Sequence, residues 1–184
     1  MIIAVNVVDG IGAHDSLGDR AGFGGVFKVE CFGADGKLKW TEVFHNKVPN
    51  AALDHILATE FTSGAQITSW YIGLISSASP TFAAADTSGS HAGWAEYTTY
   101  SQANRQAYTG VESGQQVTNS ASPASFTVNA GSTTVSGAFI ISNNTISGST
   151  GTLAAEGAFT GGNRTPANND IIQVTYSYSA ASVN

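Results

Sequence analysis

The sequence predicts a mainly β protein: an antiparallel β-sandwich, jelly-roll-like, with one short α-helix and an extended N-terminal arm. Three observations carry this reading. Nearly half of the 184 residues are Gly, Ala, Ser or Thr, and only 11% are charged, whereas long surface helices normally carry many Glu and Lys. Short runs of alternating apolar and polar residues recur between Gly/Asn/Ser/Thr turns. One segment alone has a convincing helical period.

Taken in order, Ile2–Val8 reads as a short strand, and residues 9–25, with six glycines and no periodicity, as a loop or extended arm. Two strand-like runs, Gly25–Phe32 and Lys37–Phe44, flank Gly33-Ala34-Asp35-Gly36. Asp-Gly between alternating segments is a strong hairpin signal, because it tolerates positive φ. The helix is predicted over Asn50–Phe61, with Asn50 as N-cap after Pro49. Leu53, Ile56, Leu57 and Phe61 form its apolar stripe and, with Trp40 and Trp70, are assigned to the core. Ile67–Ile75 is apolar on both parities from Trp70 onward, as a strand buried on both faces would be, with the helix covering one side. Residues 76–112 read as a long ordered loop whose aromatics must dock. Further strands are expected at Ala124–Val128, Thr133–Ser142, Thr152–Phe159 and Ile171–Tyr178. The organisation is thus 1–25 (strand and arm), 26–112 and 113–184, the last two forming one continuous domain.

Charge and cysteine content narrow the function classes. Seven basic residues against 13 acidic ones give a net charge of −6, which offers no counterion-release grip on nucleic acid and no polybasic membrane patch. No apolar run approaches the roughly 18 residues of a membrane span. The N-terminus has no basic residues before its apolar run, so no secretory leader is expected and the chain is expected to fold in a cytoplasm. Cys31 is the only cysteine. It shares parity with Phe27 and Val29 and reads as a buried apolar side chain rather than a reactive thiol.

A search for chemistry finds little. Asp9, His14, Asp15 and Asp19 cluster in the arm, but Leu17-Gly18 falls where a metal loop would need oxygen donors, so a solvated arm is favoured and no metal is expected. His45 ends a strand, His55 lies off the apolar stripe, and packing accounts for His91 as well as catalysis would. Gly89-Ser90-His91-Ala92-Gly93 has its serine one place early for a nucleophile elbow. Gly22-Phe23-Gly24-Gly25-Val26-Phe27 breaks the dinucleotide fingerprint. Glu96, Glu112, Glu156 and Asp170 could supply a glycosidase pair, though no spacing selects one. The reading is a non-enzyme without cofactors.

Three motifs carry a family resemblance. Lys39-Trp40-Thr41-Glu42-Val43-Phe44-His45-Asn46-Lys47-Val48-Pro49-Asn50 with Leu53-Asp54-His55-Ile56-Leu57 is the first, and Thr68-Ser69-Trp70-Tyr71-Ile72-Gly73-Leu74-Ile75 the second. The third is Asp86-Thr87-Ser88-Gly89-Ser90-His91-Ala92-Gly93-Trp94-Ala95-Glu96-Tyr97, followed by Tyr100, Arg105 and Tyr108. Two further segments are Ala121-Ser122-Pro123-Ala124-Ser125-Phe126-Thr127-Val128-Asn129-Ala130 and Ser136-Gly137-Ala138-Phe139-Ile140-Ile141-Ser142-Asn143-Asn144. Together these resemble a family of tailed-bacteriophage structural proteins, over about residues 37–178, the last two being similar to its C-terminal β-rich half; residues 1–36 carry no such signature.

The resemblance implies a virion component, made in the host cytoplasm and carried in the particle. The favoured role is capsid decoration (cement) across neighbouring copies of the major capsid protein, as a homo-oligomer with a trimer favoured. The alternative is a tail-tip or fibre component with a host-glycan-binding role. Candidate contact residues are Asp9, His14, Asp15, Asp19 and Phe23 in the arm, and the loop aromatics Trp94, Tyr97, Tyr100 and Tyr108. Those aromatics either anchor the loop on a neighbour or form its own intramolecular core.

Overall fold

A computed structural model describes residues 20–183 of the chain. Ile2–Val8 and the arm residues Asp9, His14, Asp15 and Asp19 lie outside the described residues. The rest is a β-sandwich of two antiparallel sheets with one helix.

The first hairpin joins β1 (Arg20–Phe32) to β2 (Leu38–His45). Its turn is the expected one: Gly36 has φ +77°, and its N–H donates to Gly33 O at 2.8 Å. The register steps from Cys31↔Trp40 to Phe32↔Leu38, leaving Lys39 as the bulged residue. The Nζ of Lys39 then lies 2.6 Å from Asp170 Oδ2. Residues 20–25, read as part of the arm, are instead the first half of β1. The glycines hide an alternation in which Phe23, Gly25 and Phe27 follow one face. Gly25 is small for a reason: a Cβ there would sit 2.5 Å from the Tyr176 hydroxyl.

The helix α1 spans Asn50–Phe61 as predicted, but Pro49 is its N-cap and no side chain caps it. The backbone N–H of Asn50 bonds Ala84 O instead, at 2.8 Å. The core assignment of its stripe is corrected. Leu57 is 56% and Phe61 79% exposed, and the buried residue of the helix is Ala52. Ala52, His55, Ile56 and Thr59 face the body, a stripe rotated by one residue from the predicted one. Apolar residues lie on both faces of this helix, so periodicity alone did not select the buried one.

Strand β3 (Tyr71–Ile75) is shorter than predicted, and Trp70 ends up half-buried at its entry. Two-residue strands β4 (Glu96–Tyr97) and β5 (Gln106–Ala107) flank it. Then come β6 (Val111–Ser113), β7 (Gln116–Thr118), β8 (Ala124–Thr127), β9 (Gly137–Ile141), β10 (Leu153–Ala158) and β11 (Ile171–Val183). One sheet runs β2-β1-β11-β7-β6, with β8 also paired to β11; the other runs β10-β9-β3-β4, with β5 also paired to β3. Segments on both sides of residue 112 therefore share both sheets.

The main core lies between the sheets. Phe27, Phe44, Phe126, Val174 and Tyr176 from one sheet meet Ile72, Leu74, Tyr97, Ala138 and Ile140 from the other. A second cluster, Ile75, Trp94, Phe139, Ile141 and Leu153 with Phe82 beside it, covers the opposite face of β3 and β9. The strand at 71–75 is thus buried on both faces, but the long loop covers its outer face rather than the helix. Gly73 makes room for the Phe139 ring, since a Cβ there would fall 2.2 Å from it. Gly73→Ala is expected to destabilise the fold by about 1–3 kcal/mol through overpacking, read as a lowered midpoint in urea unfolding with unchanged slope.

Candidate functional site

The third sequence motif folds onto a single framework. Trp94 is buried; His91 stacks on it with ring centroids 3.8 Å apart, and Phe139 packs against it at 4.8 Å. The His91 Nδ1 lies 3.2 Å from Trp94 O, which makes Nδ1 the protonated ring nitrogen, since a carbonyl only accepts. The Trp94 indole N–H donates to Glu156 Oε2 at 2.7 Å. Tyr97 and Tyr100 are buried in the main core, and the half-buried Tyr108 donates its hydroxyl to Val117 O at 2.9 Å. Trp94, Tyr97 and Tyr100 therefore hold the loop on its own body with their rings enclosed, the intramolecular alternative, whereas the half-buried Tyr108 leaves part of its ring on the wall of an open groove. Phe23, with a place on β1 rather than in an arm, stacks on Tyr178 with centroids 6.2 Å apart and stays 36% exposed.

Arg105 is the second anchor. It pairs bidentately with Glu96, Nε to Oε1 at 2.8 Å and Nη2 to Oε2 at 2.9 Å, with both side chains at least 94% buried. The remaining guanidinium donors reach Asn143 O and Gly148 O, and the Ser147 N–H donates to Glu96 Oε2 at 2.6 Å. Such a pair stabilises chiefly because its groups are fully satisfied; breaking one partner leaves a buried charge. Around it lies a cleft of about 320 Å³ of mixed lining, with Ser88, His91, Glu96 and Arg105 beside Phe139 and Leu153. Glu96 and Arg105, its charged groups, already hold each other.

No known protein family, curated protein or solved structure matches the chain. The resemblance to phage structural proteins rests on the quoted motifs alone.

The other buried carboxylates are also engaged, whereas Glu112 lies exposed on β6. Glu42 is bound by the Arg164 guanidinium and the Gly161 N–H. Asp170 accepts from Lys39 and from the Ala167 N–H, which together hold its carboxyl below the usual range against its own burial. Burial pushes the Cys31 thiol up to about 12, with Asp170 adding to the effect, so the thiolate is disfavoured as expected for a packing cysteine. Among the described residues no three His, Cys, Asp or Glu side chains gather as a metal site would need, and no helix is long and apolar enough to cross a membrane.

Sequence reading missed two features. One is the Glu96–Arg105 pair, although a signal existed: Arg105 is the only cation between Lys47 and Arg164, in a stretch with six carboxylates, and such a cation calls for a partner among them. The other is a half-open apolar groove of about 410 Å³ between α1 and the sheets. His55, off the predicted stripe and expected to be exposed or capping, lies on its wall edge-on to Trp70, with centroids 6.1 Å apart. No local pattern announces this groove, because its walls come from seven segments.

Glu156 gives a pH test. Burial raises it from 4.5 to about 8, with the Asp86 carboxylate opposing ionisation and the Trp94 hydrogen bond favouring it. The folded state therefore holds a proton that the unfolded chain releases near 4.5. This contribution is fully present below about pH 4.5, declines as pH rises towards 8 and is then lost, a total of a few kcal/mol. The melting temperature is expected to fall across that window, and Glu156→Gln is expected to flatten the profile; an unchanged profile in the variant refutes the assignment.

Proposed function

We propose that this chain is a structural subunit of a tailed-phage virion, acting as a head decoration protein that binds across neighbouring copies of the major capsid protein, as a homo-oligomer with a trimer favoured. The observation that carries the reading is the division of polarity in the fold. The buried carboxylates Glu96, Glu42 and Asp170 are each held in a tight pair, with Arg105, Arg164 and Lys39, the last two reaching in from the surface. The outer face of the larger sheet is left almost neutral. Its outward residues on β11 are Ile171, Gln173, Thr175 and Ser177, and on β8 Ser125 and Thr127. The one charged pair on the neighbouring β1 face, Lys28 and Glu30, neutralises itself at 2.8 Å.

A neutral, hydroxyl-rich face can be buried against a shell without desolvating ions, which costs several kcal/mol per charge. Leu38, Val43, Leu57, Phe61 and Val111 add large exposed apolar side chains from which contact centres can form. Many such contacts per particle stabilise the assembled state by mass action. The glycan-binding alternative needs an open aromatic platform; Trp94, Tyr97 and Tyr100 are enclosed, and Tyr108 keeps only a half-buried ring at the α1 groove.

The test is the copy number of this chain in purified virions relative to the major capsid protein. A ratio comparable to the capsid protein's supports decoration, whereas a handful of copies per particle moves the chain to the tail. A second expectation concerns the outer sheet face: Thr175→Lys with Ser125→Lys should leave the melting temperature within a few degrees and weaken binding to capsids lacking the protein by about tenfold or more. Unchanged capsid affinity would exclude this face.

A further inference from the structure

The groove beside α1 is a site that the decoration reading does not use. At about 410 Å³ it falls among small-ligand pockets, which run from roughly 300 to 1,000 Å³. The buried Ile140 and Tyr176 belong to its floor, and the half-buried rings of Trp70, Tyr108 and Tyr178 to its walls.

The charge around the groove has one sign. Glu60, its one charged lining residue, lies exposed in the last turn of α1, where the helix dipole is itself negative. A second carboxylate stands beside it. Register aligns Tyr178, Val117 and Glu112 across β11, β7 and β6, and directly paired residues share a face of a sheet. Tyr178 and Val117 both line the groove, so Glu112 flanks it from β6. Among the described side chains, neither Glu60 nor Glu112 joins an ion pair, and no Lys or Arg lines the groove. Two hydroxyls of lining residues are also unused. Tyr176 is 2% exposed and its Oη has no hydrogen-bond partner among the described residues, nor has the buried Oγ1 of Thr59. Buried hydroxyls call for a partner, and both of these can accept from an N–H.

We propose that this groove binds a small organic cation, a protonated amine carried on an apolar body. The body lies against Trp70, Tyr108 and Tyr178. The ammonium is drawn by Glu60 and Glu112 and by the ring faces, whose quadrupoles attract a cation, and its N–H groups give the unused hydroxyls a donor. Apolar walls alone would suit any hydrophobic ligand; the two unpaired carboxylates select a positive one. The inference does not depend on the virion reading.

The test compares two soluble probes of nearly equal shape, phenethylammonium and the neutral phenethyl alcohol, titrated into the full chain at low salt. Tryptophan fluorescence follows binding, with Trp70 in the groove wall as the reporter. The ammonium is expected to bind about tenfold or more tightly than the alcohol. Equal affinity for the two probes overturns the proposal in favour of a neutral apolar ligand, and binding of neither overturns it outright. Glu60 and Glu112 are exposed, so Glu60→Gln with Glu112→Gln should keep the melting temperature within a few degrees. In that variant the ammonium is expected to lose its advantage while the alcohol binds as before. An advantage that survives there overturns the assignment to this groove.

Discussion

The structure depends on the ladder between β1 and β11. It pairs thirteen consecutive residues, from Arg20↔Val183 to Phe32↔Ile171, without a break in register. A one-residue slip would turn Phe27, Val29, Val174 and Tyr176 out of the core together. Every other strand of the larger sheet is referenced to this ladder: β2 on one side, β7 and β8 on the other. Phe27 and Tyr176, paired in register, sit with ring centroids 4.3 Å apart at its middle. Asn119 fastens β11 further, donating to Val174 O and accepting from the Tyr176 N–H.

The second constraint is the scarcity of charge. In a chain with seven cations, three are placed against buried carboxylates. Arg105 meets Glu96 across a nine-residue separation, Arg164 reaches Glu42 over 122 residues, and Lys39 reaches Asp170 over 131. The pairs therefore act as long-range ties as well as neutralisers, joining β2 to the loop before β11 and the long loop to the turn after β9. Glu156 has an indole instead of a cation and remains largely protonated at neutral pH. The electrostatics and the topology are thus one set of contacts.

These facts explain what could be read in the chain beforehand. Alternation located β8 and the first part of β11 well, because side chains alternate strictly on a strand with one buried face. Asp35-Gly36 located the hairpin. The start of β1 was obscured because Gly22, Gly24 and Gly25 carry no side chain to show the period, though it is the close approach of Tyr176 that requires Gly25. The helix was found but its buried face was not, since Ala52 and His55 carry less hydrophobic signal than Leu57 and Phe61. The motif residues Trp94, Glu96, Tyr97 and Arg105 were recognisable as a set. Their role as internal struts depends on partners such as Glu156, Asn143 and Ser147, distant in sequence and set by the fold alone.

The ladder also has a mechanical meaning. Arg20 opens β1 directly across from Val183 near the end of β11, so both ends of the described chain leave from one pole, opposite the Gly33–Gly36 turn. Tension applied between those two ends would load the terminal pair of hydrogen bonds first and peel the strands apart in sequence, rather than shear all of them at once. Tension carried through one end and the broad sheet face would instead be shared along the strand. A body of this design resists load well when held by its face, and gives way readily when pulled by its two ends.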